Sequence, residues 1–160
     1  MTKDHALTLI LARLEQDLDL ASRAAQAAHE AATHEESVAE NKYDTRGLEA
    51  SYLAAGQARR VEELRLALQR YRALRLRPFD AARGIELSAL VRLGDDRGGE
   101  QTLFLGPDAA GLRIVDESGS FMVITPHSPL GQRLLGRDAG DEIELQLGAA
   151  CQRYQVLDVA

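Results

Sequence analysis

The sequence predicts an α+β protein: an antiparallel coiled-coil hairpin of two long helices, then a small domain of short strands with one short helix. Three observations predict it. Residues 7–32 carry an apolar seam that steps alternately by four and three, and residues 47–71 carry a second one. Beyond residue 84 the apolar period drops to two, and Gly, Pro, Asp and Ser punctuate the short runs. The expected boundaries are 1–78 for the hairpin and 79–160 for the base domain.

The bulk composition agrees with an extended, partly helical chain. Among 160 residues, 45% are hydrophobic but only 4% are aromatic, with no Trp. A net charge of −6 argues against a general nucleic-acid coat protein. With Cys151 as the single cysteine, neither an intramolecular disulfide nor a thiolate metal cluster can form. The start, Met1-Thr2-Lys3-Asp4-His5, lacks the layout of a secretory signal. No apolar run reaches the ~20 residues that cross a bilayer. A cytoplasmic protein, without membrane association and monomeric, is expected.

The first arm is seamed by Leu7, Leu11, Leu14, Leu18, Ala21, Ala25, Ala28 and Ala32. Leucine at the base gives apolar burial, and alanine toward the far end lets two backbones approach closely. A helix from about residue 6 to 35 would be roughly 45 Å long. His29 and His34 lie five apart, which turns them away from each other, whereas zinc-protease histidines four apart share a helix face. They are read as solvated surface residues, and no metal is assigned to them.

The returning arm mirrors the first. Gly47, Ala50, Ala54, Gln57, Val61, Leu64, Leu68 and Tyr71 place small residues toward the turn and large ones at the base. The helix is expected to end before Pro78, which cannot continue it. Between residues 47 and 78, seven arginines face only three glutamates, a local excess of four positive charges. The favoured reading is a solvated helix whose arginines balance the acidic first arm. The minority reading is a phosphate-facing stripe, with Arg59, Arg60 and Arg65 as RNA contacts. Linking the two arms is an acidic segment holding Glu35, Glu36, Ser37, Glu40, Asn41 and Asp44. A hairpin of this kind carries a few carboxylates far from the body of the protein, which suits reaching into a deep site on a partner.

In the base domain, strands are expected at 85–93, 102–105, 112–115, 121–124, 142–147 and 153–159. A turn is expected at 94–99. One helix, 129–135, interrupts them, with Ser128 as N-cap, Pro129 at its first position and Gly136 as its stop. Leu130, Leu134 and Leu135 read as core packing of that helix, Asp141 and Glu142 as a solvated turn, and Cys151 as a strand residue without chemistry.

The run Ile124-Thr125-Pro126-His127-Ser128-Pro129-Leu130-Gly131-Gln132-Arg133-Leu134-Leu135-Gly136, followed by Gly140-Asp141-Glu142-Ile143, resembles the C-terminal signature of the Gre transcript-cleavage factors. The segment Glu40-Asn41-Lys42-Tyr43 is similar to the family's Glu-Asn-x-x-Tyr stretch, shifted by one residue at the tyrosine. The order of a helical hairpin and then a base domain also matches. The resemblance implies an FKBP-like base domain that binds bacterial RNA polymerase at the rim of its secondary channel. It places Ser128, Pro129, Leu130 and Arg133 near the polymerase-binding surface. It further implies that the hairpin passes down the channel, where tip acids help to hold the second catalytic magnesium and to polarise a water. Backtracked RNA is then cut by the polymerase itself, so the factor is a stimulator and not an enzyme, and it contacts nascent RNA indirectly. Glu40 is the residue so implied, with Glu36 and Asp44 as further acids. No cofactor would be held stably, only a magnesium shared with the polymerase.

One departure bears on mechanism. Where the family carries an Asp three residues before the Glu that aligns with Glu40, this chain has Ser37, and a hydroxyl is a poor substitute for a carboxylate on magnesium. Glu36 and Asp44 would supply two acids only through a different loop geometry. Three alternatives therefore stand beside a cleavage stimulator. The first is a channel-occupying regulator that does not cleave. The second is a peptidyl-prolyl isomerase, disfavoured because only Phe104, Phe121 and Tyr154 follow Phe79 to line a proline pocket. The third is a coiled-coil adaptor, disfavoured because the two arms match each other.

Overall fold

The computed structural model describes residues 1–38 and 46–160, with side chains through His34 and again from Arg46. Helix α1 spans Lys3–Val38 and α2 spans Arg46–Ala73. Strands β1 (Leu90–Asp95), β2 (Glu100–Leu105), β3 (Arg113–Asp116) and β4 (Gly119–Ile124) follow. The chain ends with α3 (Pro129–Leu134), β5 (Glu142–Leu147) and β6 (Ala150–Val159). The result is a helical hairpin followed by a mixed six-stranded sheet. It divides into two compact units, one of Leu11–Gln69 and one of Met1–Ile10 with Arg70–Ala160.

In the hairpin unit, α2 buries Val61, Leu64, Ala67 and Leu68, the large-residue half of its expected seam. The small half, Gly47, Ala50, Ala54 and Gln57, is half-buried. On α1 the described seam is Leu14, Ala28 and Ala32, with Leu18, Ala21 and Ala25 half-buried between them. The expected register therefore holds over residues 14–32. It fails at the start of α1, where Ala6 and Ile10 are fully buried and Leu7 and Leu11 are only half-buried. Residues 1–10 belong to the sheet-bearing unit, so a different neighbour selects which face of the helix is covered.

The sheet order is β3-β4-β2-β1-β6-β5. All pairings are antiparallel except β2 with β4, where Leu103, Phe104 and Leu105 run parallel beside Met122, Val123 and Ile124. The alternation of side chains sorts the apolar residues onto two faces. Val91, Leu93, Leu103, Leu105, Ile124, Ile143 and Val156 join Leu134 of α3 in one core. Phe104 and Phe121, from neighbouring register positions, pack on the other face with ring centroids 6.5 Å apart, and Tyr71 of α2 lies 6.5 Å from Phe104.

The expected strand at 85–93 begins only at Leu90. Residues 86–89 form a turn closed by the Ala89 N–H donating to the Glu86 carbonyl at 3.0 Å, with Ser88 left-handed at φ 76°. The period of two was nevertheless right about the interior: Ile85, Ala89, Val91 and Leu93 all enter the core, and only Leu87 turns outward.

Candidate functional site

Three groups of residues were singled out by the sequence. The structure places two of them. Glu40 and Asp44 lie outside the described residues, as does the side chain of Glu36, whose backbone is in the last turn of α1. In the chain, the segment that carries these acids lies between α1 and α2.

The second group is the turn into α3. Ser128 is the N-cap, extended at φ −69° and ψ 151°, and Pro129 opens the helix. The Ser128 hydroxyl accepts from the Gly131 N–H at 3.2 Å and donates to the Thr125 carbonyl at 2.7 Å. One side chain thus satisfies a free helix N–H and pins the helix to the end of β4. Gly131 makes that approach possible, because a Cβ there would run into the Thr125 carbonyl. The helix stops at Leu134, and Gly136, left-handed at φ 77°, carries the chain onward. Leu130 packs partly against the core, while Pro129 and Arg133 are exposed. What this segment offers a partner is therefore a rigid turn with Pro129 and Arg133 on its outside. Asp141, expected to be a solvated turn residue, is half-buried and accepts from the Asp138 N–H at 2.8 Å, so it serves the turn into β5.

The third group is the arginines of α2. At 3.6 residues per turn, Arg59, Arg60 and Arg65 point to different sides of the helix and form no single stripe. Arg65 pairs with Glu62 at 2.6 Å and Arg60 with Glu63 at 3.7 Å, all on the same helix and all exposed. Exposed pairs of this sort contribute little to stability. Further along, Arg70 pairs with Asp108 at 2.7 Å and Arg77 with Glu86 at 3.8 Å. The charges that balance these four arginines therefore sit on α2 itself and in the sheet-bearing unit, not on the first arm as expected.

Sequence reasoning missed how the ends of α1 and α2 are fastened. Tyr71, read as the last seam residue of α2, is 1% exposed, and its hydroxyl donates to the Asp108 carbonyl at 2.8 Å. Burial first, and then the Asp108 carboxylate, push its ionisation well above the ordinary tyrosine value. At the start of α1, His5 Nε2 lies 2.6 Å from Asp116 Oδ2 in the β3–β4 turn. The Ser118 hydroxyl donates to the other Asp116 oxygen at 2.7 Å. These bonds, Ser118 before His5, hold the Asp116 carboxyl below the usual carboxylate range. Lys3 reaches the Arg77 carbonyl, and burial lowers its pKa against the pull of Glu86 and Asp4. Neither His5 nor Asp116 lies in a recognisable motif, and no local signal joins residues 111 apart. Among the described residues no group of three metal-ligating side chains is gathered, and no helix is long and apolar enough to cross a membrane.

No family model matches the chain, and no curated protein matches it. Several solved structures are similar to it. GreA factor homolog 1 (Gfh1) of Thermus thermophilus is 24% identical, with 94% of each chain covered and a TM-score of 0.38. Gfh1 of Thermus aquaticus is 24% identical over 92% of each chain, with a TM-score of 0.40. A prokaryotic transcription elongation factor GreA/GreB from Nitrosomonas europaea is 24% identical over 82% of this chain and 92% of its own, with a TM-score of 0.38.

Proposed function

We propose that the chain is a transcription elongation factor that binds bacterial RNA polymerase and inserts its hairpin into the secondary channel. The observation that carries this reading is the folded form of the C-terminal signature. A strand (β4) leads into a Ser128-capped, Pro129-started helix, and Gly136 and the Gly140-Asp141 turn lead into β5. The same chain begins with a helical hairpin whose two arms flank the acidic segment. Phe104 and Phe121 are sealed in the core, so neither can line a proline pocket, which counts against an isomerase.

The chemistry asked of the tip is modest. Hydrolytic phosphoryl transfer on a two-metal site needs hard oxygen ligands, and a factor can supply a carboxylate to a magnesium that the polymerase holds weakly. Glu40 is the residue proposed for that role, with Glu36 or Asp44 as the second acid. Pro129 and Arg133 are proposed to face the polymerase, with Ser128 and Leu130 holding the turn that presents them. Ser37, in place of an acid, supports a second reading in which the hairpin occupies the channel without promoting cleavage.

The test is transcript cleavage in stalled, backtracked polymerase complexes, comparing the intact protein with Glu40→Ala and with a triple Glu36/Glu40/Asp44→Ala variant. Magnesium-dependent shortening of the RNA that is lost with Glu40→Ala is the expected result. Binding without cleavage selects the second reading. Absence of polymerase binding rejects both.

A further inference from the structure

The sheet-bearing unit holds a hollow of 480 Å³ that no sequence motif announces. Its apolar lining is Ala73, Leu74, Leu87 and Pro107. Its charged lining is cationic in balance, with Arg70, Arg75 and Arg77 against one carboxylate, Glu86. We infer that this hollow is a docking site for an acidic segment of a protein partner, one that presents a carboxylate beside an apolar side chain. The inference rests on the proposed function for the partner's identity, the polymerase, but not for the chemistry of the site.

Two features show a site held in place. Leu87 remains 37% exposed while Ile85 and Ala89 on either side are buried, because the turn at 86–89 aims it outward. That turn requires Ser88, a non-glycine residue, at φ 76°, a strained conformation that persists only where the surroundings enforce it. Here Ser88 is fully buried, its N–H donates to the Leu105 carbonyl at 2.8 Å, and its hydroxyl accepts from the Arg77 N–H at 3.2 Å. The bond from Arg77 also fixes the opposite wall of the hollow.

The second feature is charge. Arg70 is committed to Asp108 at 2.7 Å. Arg77 reaches Glu86 only at 3.8 Å, and Arg83 claims the same carboxylate from 3.3 Å. Arg75 is exposed and has no ion-pair partner among the described residues. Two guanidinium groups therefore face the hollow with donors to spare, in a chain whose net charge is −6. The guanidinium fork matches a carboxylate in geometry. Arginine is enriched in energetically dominant protein-protein contacts, and apolar neighbours help to exclude water around it. A bare phosphate would make no use of Leu74, Leu87 and Pro107, which favours a peptide over nucleic acid.

The experiment uses the full chain and bacterial core RNA polymerase. Arg75→Glu and Leu87→Asp are each expected to weaken polymerase binding by tenfold or more, with Arg75→Lys losing less. The urea midpoint of Arg75→Glu should stay unchanged, since that side chain lies on the surface, and this variant separates binding from folding. Benzoylphenylalanine at position 87 is expected to crosslink, on irradiation, to a polymerase peptide rich in Asp or Glu. Variants that bind as the parent does, or a crosslink to nucleic acid only, overturn the docking site and leave the proposed function standing. A parent chain that fails to bind polymerase removes the proposed function, and the polymerase as occupant with it.

Discussion

Gly106 and Tyr71 test how the end of α2 is fastened to the sheet. Replacing Gly106 with Ala would drive a methyl group into the Tyr71 hydroxyl, which is fixed by its bond to the Asp108 carbonyl. Overpacking of a rigid, buried site costs about 1–3 kcal/mol, and the upper end is expected here because the ring is 1% exposed. Tyr71→Phe removes the hydroxyl and its hydrogen bond, a loss of about 1 kcal/mol. In the Phe background the next atoms the methyl meets are the ring Cζ at 2.8 Å and Cε1 at 3.2 Å. The clash is then reduced but not abolished. The double variant should therefore be about 1 kcal/mol more stable than the sum of the two single effects predicts. Urea unfolding followed by circular dichroism measures all four proteins. Additivity within about 0.3 kcal/mol would refute the contact, and so would a neutral Gly106→Ala.

Two further predictions concern the cap and the acid limb. Ser128→Ala should cost about 1 kcal/mol and speed hydrogen exchange at the first turn of α3, and unchanged protection of the Gly131 amide would count against the cap. Asp116→Asn reads the pH dependence. Its folded pKa is depressed below the unfolded value near ~3.9. Its stabilising contribution is therefore complete above that value and is lost as pH falls through the lower, folded one. The stability gap between parent and variant should close as pH falls below about 4. A gap that widened with acid would have the wrong sign.

Much of this molecule was legible because its cues are local. The seam of α2 follows from step sizes alone, and Val61, Leu64 and Leu68 are buried where those steps put them. The Ser128-Pro129 start of α3 follows from cap chemistry. The faces of the first sheet segment followed too: Ile85 and Ala89 reach the core even though their backbone is a turn. What stayed hidden is long-range. The parallel pairing of β2 with β4 and the strand order leave no mark in any short window. The same is true of Ala6 and Ile10, whose burial is decided by residues far along the chain. The hollow beneath Leu87 was hidden for a further reason. Arg70, Arg75 and Arg77 were all expected on one solvated helix running to Pro78, but α2 ends at Ala73 and only Arg70 is helical.

The division of the chain has a consequence for biosynthesis. The sheet-bearing unit is discontinuous, with Leu11–Gln69 inserted between its first ten residues and the rest. A ribosome releases His5 long before Asp116, which lies 111 positions later. At a synthesis rate of about 5–20 residues per second, the first turns of α1 wait roughly 6–20 s for the β3–β4 turn. During that interval the hairpin unit has all its own residues and can form, while Ala6 and Ile10 still lack the strands of their unit. Residues 1–10 are thus made well before the strands of their unit, and a shortened nascent chain would expose Ala6 and Ile10, which the finished protein conceals.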